Sequence, residues 1–240
     1  MATTLVPLPT SNYLVKLTSF RHLLDYSKVA IGILLAPPHM PHQPGRQGTI
    51  ALYEISMNIF VLITSHHNIP VTDTALLCRC EIIFGTFGKI VLKPEDIASV
   101  STNPELDATV IELTAQCAAF LKQCGFNFLK VTNARLGDPV ALLQLYPDGE
   151  CAFDKGTIHE MNSWRLSCCI ACDVGCSGAP LLLWDVQAVG LIRSENFESP
   201  QRAQGNVRVA TSLPDIVAYH LVSRNSVSQM YVRKFRALCV

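Results

Sequence analysis

Charge is scarce in this chain of 240 residues: only 16% of positions are Asp, Glu, Lys or Arg, and 19 basic residues balance 19 acidic ones. An average soluble domain carries roughly 25% charge. Proteins that track nucleic-acid phosphates need a basic excess, so its absence argues against nucleic acid as a partner. Long apolar runs are missing as well. The longest, Val29 to Ala36, stops at Pro37-Pro38, far short of the roughly 20 residues of a membrane span. The first residues, Met1 to Thr10, are prolyl and uncharged and lack the basic segment and apolar core of a secretory leader. Internal repeats, heptads and low-complexity tracts are absent too.

Apolar side chains, by contrast, make up 49% of the sequence. That excludes disorder for most of the chain and supplies a large core. It also leaves room for an apolar surface facing a partner protein or a second copy of the chain. Ten cysteines without a leader read as free thiols, which points to an intracellular setting, cytoplasm or nucleus.

The punctuation is that of an all-β protein. Strands are expected at Lys28–Leu35, Gly48–Ile55, Ile59–Thr64, Leu76–Phe84, Lys89–Leu92 and Ala108–Leu113, with a proline-rich loop from Ala36 to Gln47. A second series follows at Pro139–Leu145, Cys151–His159, Ser167–Ala171, Leu181–Leu183, Ala188–Ile192 and Val207–Thr211. Ser11–Tyr26 and Leu213–Val222 read as helical, and Ser194–Asn206 as a surface loop. Many short strands with turns between them predict two consecutive barrels or a sandwich. The chain is expected to divide into an N-terminal extension (1–27), a first barrel (28–125) and a second barrel with a C-terminal helix (126–240).

One segment carries chemistry more plainly than the rest: Gly175-Cys176-Ser177-Gly178-Ala179-Pro180, just ahead of the aliphatic Leu181-Leu182-Leu183. Flanking glycines allow strained backbone angles and expose a serine hydroxyl. The Gly175 and Ser177 N–H groups can then converge as an oxyanion hole. A plain tight turn before a strand fits the same residues. Upstream, the strand Val61–Thr64 delivers His66 and His67, and Asp107 precedes the strand Ala108–Leu113. His, Asp, Ser is one of the few chain orders known for a serine triad. Asp73 and Asp173 are alternative carboxylates, though neither precedes an aliphatic strand.

These segments together resemble the chymotrypsin-fold (trypsin-like) serine peptidases, particularly their intracellular HtrA-like branch. Thr64-Ser65-His66-His67-Asn68-Ile69 is similar to T-x-x-H-x-I around the base, and Leu106-Asp107-Ala108-Thr109-Val110 to L-D-x-A-V with two residues exchanged. Gly175 to Pro180 resembles G-N-S-G-G-P, and Ala188-Val189-Gly190-Leu191 resembles V-I-G-V. Gly137-Asp138-Pro139-Val140 and Lys155-Gly156-Thr157-Ile158 resemble the openings of second-barrel strands. The likeness runs from about Lys28 to Val222.

The resemblance implies two six-stranded antiparallel β-barrels with a C-terminal helix, and hydrolysis of a protein or peptide substrate through an acyl-enzyme. Its catalytic residues would be Ser177 as nucleophile, His67 as base and Asp107 as orienting carboxylate, with Gly175 and Ser177 forming the oxyanion hole. Ala171 would form the base of the substrate pocket, with Arg193 and Glu195 near its rim. No cofactor is implied. Several departures stand out. Asn68 replaces a cysteine beside the base, so that family disulfide cannot form. Cys176 replaces the aspartate of zymogen-activated members, no activation sequence is found, and thiol oxidation at Cys176 becomes an available regulator. Arg193 stands where many relatives have a serine. Arg193 and Glu195 favour the alternative of a catalytically inactive module that binds peptides or partner proteins. A further alternative is a zinc-supported module built on Cys168, Cys169, Cys172 and Cys176, completed by Cys78 and Cys80.

Overall fold

The computed structural model describes residues 25–26, 29–37, 46–69, 74–85, 87–146, 151–172, 175–193 and 207–224. The first half holds β1 (Ile31–Ala36), β2 (Arg46–Ser56), β3 (Ile59–Thr64), β4 (Glu81–Phe84), β5 (Gly88–Ile90), β6 (Ile97–Asn103) and β7 (Ala108–Leu113). After β8 (Leu129–Val131), the second half holds β9 (Pro139–Leu145), β10 (Cys151–Asn162), β11 (Arg165–Cys169), β12 (Pro180–Leu182), β13 (Gln187–Ile192) and β14 (Val207–Ser212). Helices are few: α1 (Thr74–Leu77), α2 (Ala115–Gln123) and α3 at 213–224.

The second half closes on itself. Its antiparallel order β9-β10-β11-β14-β13-β12 returns to β9 through the β12–β9 pairing, which makes a six-stranded barrel. The first half runs β5-β4-β1-β2-β3-β7-β6. It has one strand more than the expected six, because Ile97–Asn103 forms the unanticipated β6, paired with β7. Short β8 pairs in parallel with both β2 and β13 and so stitches the halves together.

Why so little of the chain is charged becomes clear from β3. All of Val61, Leu62 and Ile63 are fully buried, so the strand has no solvent face. Phe60 and Leu62 point into the first barrel with Leu34, Ile50 and Ile111. Val61 and Ile63 point the other way, into a layer shared with Ala141, Leu143, Leu182 and Leu191 of the second barrel. A third layer, including Val140, Leu142, Leu166 and Leu181, fills the second barrel. At roughly 1.5–3 kcal/mol for each fully buried Val, Leu or Ile, the middle layer is a strong adhesive between the halves.

Most strands fall within two or three residues of expectation, and four features do not, one being the short β8, which no expected strand covers. The expected strand Leu76–Phe84 is broken, because Arg79 and Cys80 donate to the carbonyls of Leu76 and Leu77 in a turn before β4. Both β6 and α2 went unanticipated: Ile97–Asn103 alternates weakly and none of its residues is fully buried. Helix α2 starts at Thr114, whose hydroxyl accepts from the Cys117 N–H at 3.3 Å. The expected helix Ser11–Tyr26 lies outside the described residues up to 24, as does the loop Ser194–Asn206.

The C-terminal helix occupies its expected place, with Pro214 in its first turn, and crosses onto the first half. Leu213 and Ile216 join the middle layer. The fully buried His220 lies 2.8 Å from Ser101 Oγ and 3.3 Å from Glu112 Oε2. Glu112 also accepts from Ser99 Oγ at 3.0 Å and pairs with Arg224 at 3.0 Å. Burial holds the His220 imidazole below its ordinary value of 6.5, against the pull of the Glu112 carboxylate. The unfolded chain therefore takes up this proton first as pH falls below about 6.5, and the network's stabilisation is lost from there down through the lowered value. Urea denaturation at pH 7.5 and 5.5 should show the wild type losing more stability on acidification than His220→Gln. Equal losses would contradict this origin.

Candidate active site

The two halves meet at the C-terminal end of β3. There the chain leaves the strand at Thr64 and turns through Ser65, His66, His67 and Asn68. The His67 side chain remains 39% exposed, whereas that of Asp107 is only 11% exposed. His67 Nδ1–H donates to both Asp107 carboxylate oxygens, at 3.0 and 3.1 Å, and the His67 backbone N–H donates to Oδ1 at 3.2 Å. On the other side of the ring, Ser177 Oγ donates to His67 Nε2 at 2.7 Å. Ser177 Oγ also lies 3.2 Å from the buried Ser65 Oγ, whose own proton goes to the Ile192 carbonyl at 3.1 Å. His66 takes no part in this chain of bonds. Asp107, His67 and Ser177, which stand far apart in the sequence, form one continuous hydrogen-bonded line.

Asp107 sits on a strained turn just ahead of β7. Its φ of +48° is unusual for a residue with a side chain, and such geometry persists only where surrounding contacts over-determine it. Those contacts are present. Asn103 Oδ1 accepts from the N–H groups of Glu105 (2.9 Å) and Leu106 (3.0 Å). From the second barrel, Thr211 Oγ1 donates to the Leu106 carbonyl at 2.7 Å and Arg193 donates to the Glu105 carbonyl at 3.2 Å. The Arg193 guanidinium also lies over the Trp164 ring, 4.8 Å from its centre. Arg193 thus braces the carboxylate turn through backbone and ring contacts. Its sequence gave no sign of this brace, because Trp164 and Glu105 lie on other elements.

The turn that carries Ser177 is built by glycines at Gly175 (φ +96°) and Gly178 (φ +88°). Gly178 lies so close to the first barrel that a Cβ there would come within 2.2 Å of the Thr49 carbonyl oxygen. Beneath it, Asn68 Nδ2 donates to Thr64 Oγ1 (3.1 Å) and to the Ser177 carbonyl (3.0 Å). The amide of Asn68 fills the space over Gly48, where a Cβ would meet it at 2.2 Å.

The thiols of the described cysteines take no part in this geometry. The Cys176 thiol turns away into the second-barrel core, and its hydrogen bond with Cys172, followed by burial, raises it far above its ordinary value. Burial and a raised thiol both disfavour the thiolate at Cys176, the form that oxidises. Cys168 and Cys169 point to opposite sides of β11, the first buried against the Arg208 carbonyl and the second exposed beside His159. Among the described residues no group of three or more His, Cys, Asp or Glu could hold a metal ion. Ala171 is half-buried beside Cys172, whose carbonyl accepts from Arg208 at 2.7 Å. Glu195, Asp73 and Asp173 lie outside the described residues.

No protein-family model matches the chain, and no curated protein matches it in sequence. Solved structures do. A serine-to-alanine mutant of Rv3671c from M. tuberculosis H37Rv, in an inactive form, aligns with a TM-score of 0.57 at 12% identity over 94% of this chain and 98% of that one. The serine protease domain of the Sesbania mosaic virus polyprotein aligns with a TM-score of 0.54 at 14% identity, over 80% of this chain and 91% of that one. At such identities the likeness is one of fold: the chain has the chymotrypsin-like double-barrel fold. Among the described residues no helix is long and apolar enough to cross a membrane.

Gly178→Ala should cost at least about 1 kcal/mol, since a methyl there meets backbone at a positive φ. Ala179→Gly should cost less than half as much. Chemical denaturation of the two variants gives the comparison, and equal losses would mean that the contact with Thr49 yields easily.

Proposed function

We propose that this protein is a serine endopeptidase that hydrolyses peptide bonds through an acyl-enzyme on Ser177. The observation carrying the proposal is the unbroken hydrogen-bond line Asp107–His67–Ser177, with 2.7 Å between Ser177 Oγ and His67 Nε2. In this reading Ser177 Oγ attacks the peptide carbonyl carbon while His67 Nε2 takes its proton. Asp107, sheltered and bonded to Nδ1, holds the tautomer and stabilises the imidazolium. The Gly175 and Ser177 N–H groups receive the developing oxyanion. His67 then gives its proton to the leaving amine, and a water activated by the same ring releases the acyl group.

Two observations favour catalysis over an inactive binding module. The Arg193 guanidinium is engaged with the Glu105 carbonyl and the Trp164 ring, so it braces the site without displacing the base. The thiol next to the nucleophile is buried and cannot compete with it. An intracellular setting belongs to the same reading: the described cysteines are free thiols.

Ser177→Ala should lower kcat by about four to six decades, as loss of a triad nucleophile does. His67→Ala should be comparably damaging, whereas His66→Ala and Cys176→Ala should retain most activity. Fluorophosphonate labelling and peptide turnover check all four. Wild-type protein that neither labels nor cleaves would sink the assignment and favour the binding module.

Substrate preference follows from Ala171. An alanine at the pocket base offers no counter-charge, so an apolar or aromatic residue is expected on the acyl side of the cleaved bond. Peptide-library profiling with a Ser177→Ala control tests this, and selection of Lys or Arg at that position would contradict it.

A further inference from the structure

The nucleophile turn is held by bonds from within itself, from β13 and from the first half. Three consecutive carbonyls are each tied down. The Gly175 carbonyl accepts from Thr49 Oγ1 at 3.0 Å. The Cys176 carbonyl accepts from the Ala179 N–H at 2.8 Å. The Ser177 carbonyl accepts twice, from the Thr49 N–H at 2.8 Å and from Asn68 Nδ2 at 3.0 Å. Because a peptide unit is planar, fixing the Cys176 carbonyl also fixes the direction of the Ser177 N–H. Thr49 grips the turn on both sides of that N–H, with its hydroxyl on Gly175 and its backbone on Ser177. Thr49 is itself held: its carbonyl accepts from Thr64 Oγ1 at 2.7 Å, and Thr64 Oγ1 accepts from Asn68. Thr49, Thr64 and Asn68 are all buried, at 3% exposure or less.

We infer that Thr49, supported by Asn68, is the positioning residue that orders the oxyanion-binding turn, so that the site is assembled without proteolytic activation. The inference rests on the peptidase reading above. A buried threonine hydroxyl donating to a carbonyl of the nucleophile turn does here what a carboxylate at the Cys176 position cannot. It adds a neutral, permanent bond across the barrel interface, independent of any newly cut N-terminus. Thr49 touches no substrate atom and acts only through the Gly175 and Ser177 peptides.

The experiment compares wild type, Thr49→Val, Thr49→Ser and Thr49→Ala, each with an N-terminal tag and assayed well below its own melting midpoint. Thr49→Val keeps the shape and the backbone bond to Ser177 but loses the hydroxyl bond to Gly175. It should lower kcat about tenfold or more with KM within about twofold. Affinity for a peptide boronic acid, which forms the tetrahedral anion on Ser177, should fall in parallel. Thr49→Ser should restore most of both, whereas a role in packing alone would be rescued by valine and not by serine. If the valine variant does not fold, the serine and alanine variants carry the same comparison. Wild-type kcat and boronate affinity in Thr49→Val would overturn the inference and leave the peptidase reading intact. Tagged wild type that labels only after N-terminal cleavage would overturn it as well. A wild type that never labels would remove both.

Discussion

The contact on which the site depends involves almost no side chain. Gly178 lies against the backbone of Thr49, and the Ser177 carbonyl accepts the Thr49 N–H at 2.8 Å. This backbone-to-backbone approach sets how near the Ser177 turn of the second half comes to the His67 turn of the first. The 2.7 Å between Ser177 and His67 follows from it. A packed apolar layer supplies adhesion but little register, because dispersion and burial are not directional. Hydrogen bonds supply the register. Asn68, Thr49, Thr211 and Arg193 each cross from one half to the other and end on a carbonyl of a turn that carries a site residue or precedes one.

That division of labour explains the composition. Two barrel interiors and the layer between them need apolar side chains on both faces of strands such as β3, so the excess of apolar residues is largely used internally. Several polar groups that enter the interior do so in bonded sets. The set around Glu112 joins β6 and β7 to α3 through Ser99, His220 and Arg224, and it anchors that helix on the first half. Left single, any of these groups would cost the desolvation of a buried polar atom. Together they define where the helix lies.

Much of the architecture was legible in the sequence. Strands β3, β7 and β9 announce themselves as aliphatic runs bounded by turn residues, and α3 by Pro214 and its apolar spacing. The positions of His67, Asp107 and Ser177 were suggested by strand ends and by the glycines around the serine. Other elements were obscure for physical reasons. Strand β6 carries Ser, Thr and Asn where alternation should be sharp, because it pairs only with β7 and buries little. Helix α2 is short, and its buried Cys117, Ala118 and Leu121 make a weak stripe. Nothing in the local sequence distinguishes Thr49 from any other threonine at a strand.

What the sequence determined by itself was the order of chemically able residues and the kind of backbone that carries each, since strand alternation, glycine freedom and capping act over a few neighbouring residues. The tertiary structure alone decided their company. It placed the Arg193 guanidinium on the Glu105 carbonyl and Trp164 ring, turned the Cys176 thiol into the core, and set Asn68 and Thr49 on the carbonyls of the Ser177 turn. Those outcomes depend on distances between residues widely separated in the chain. Such distances are fixed only when the closed second barrel and the strands of the first half settle against a common apolar layer.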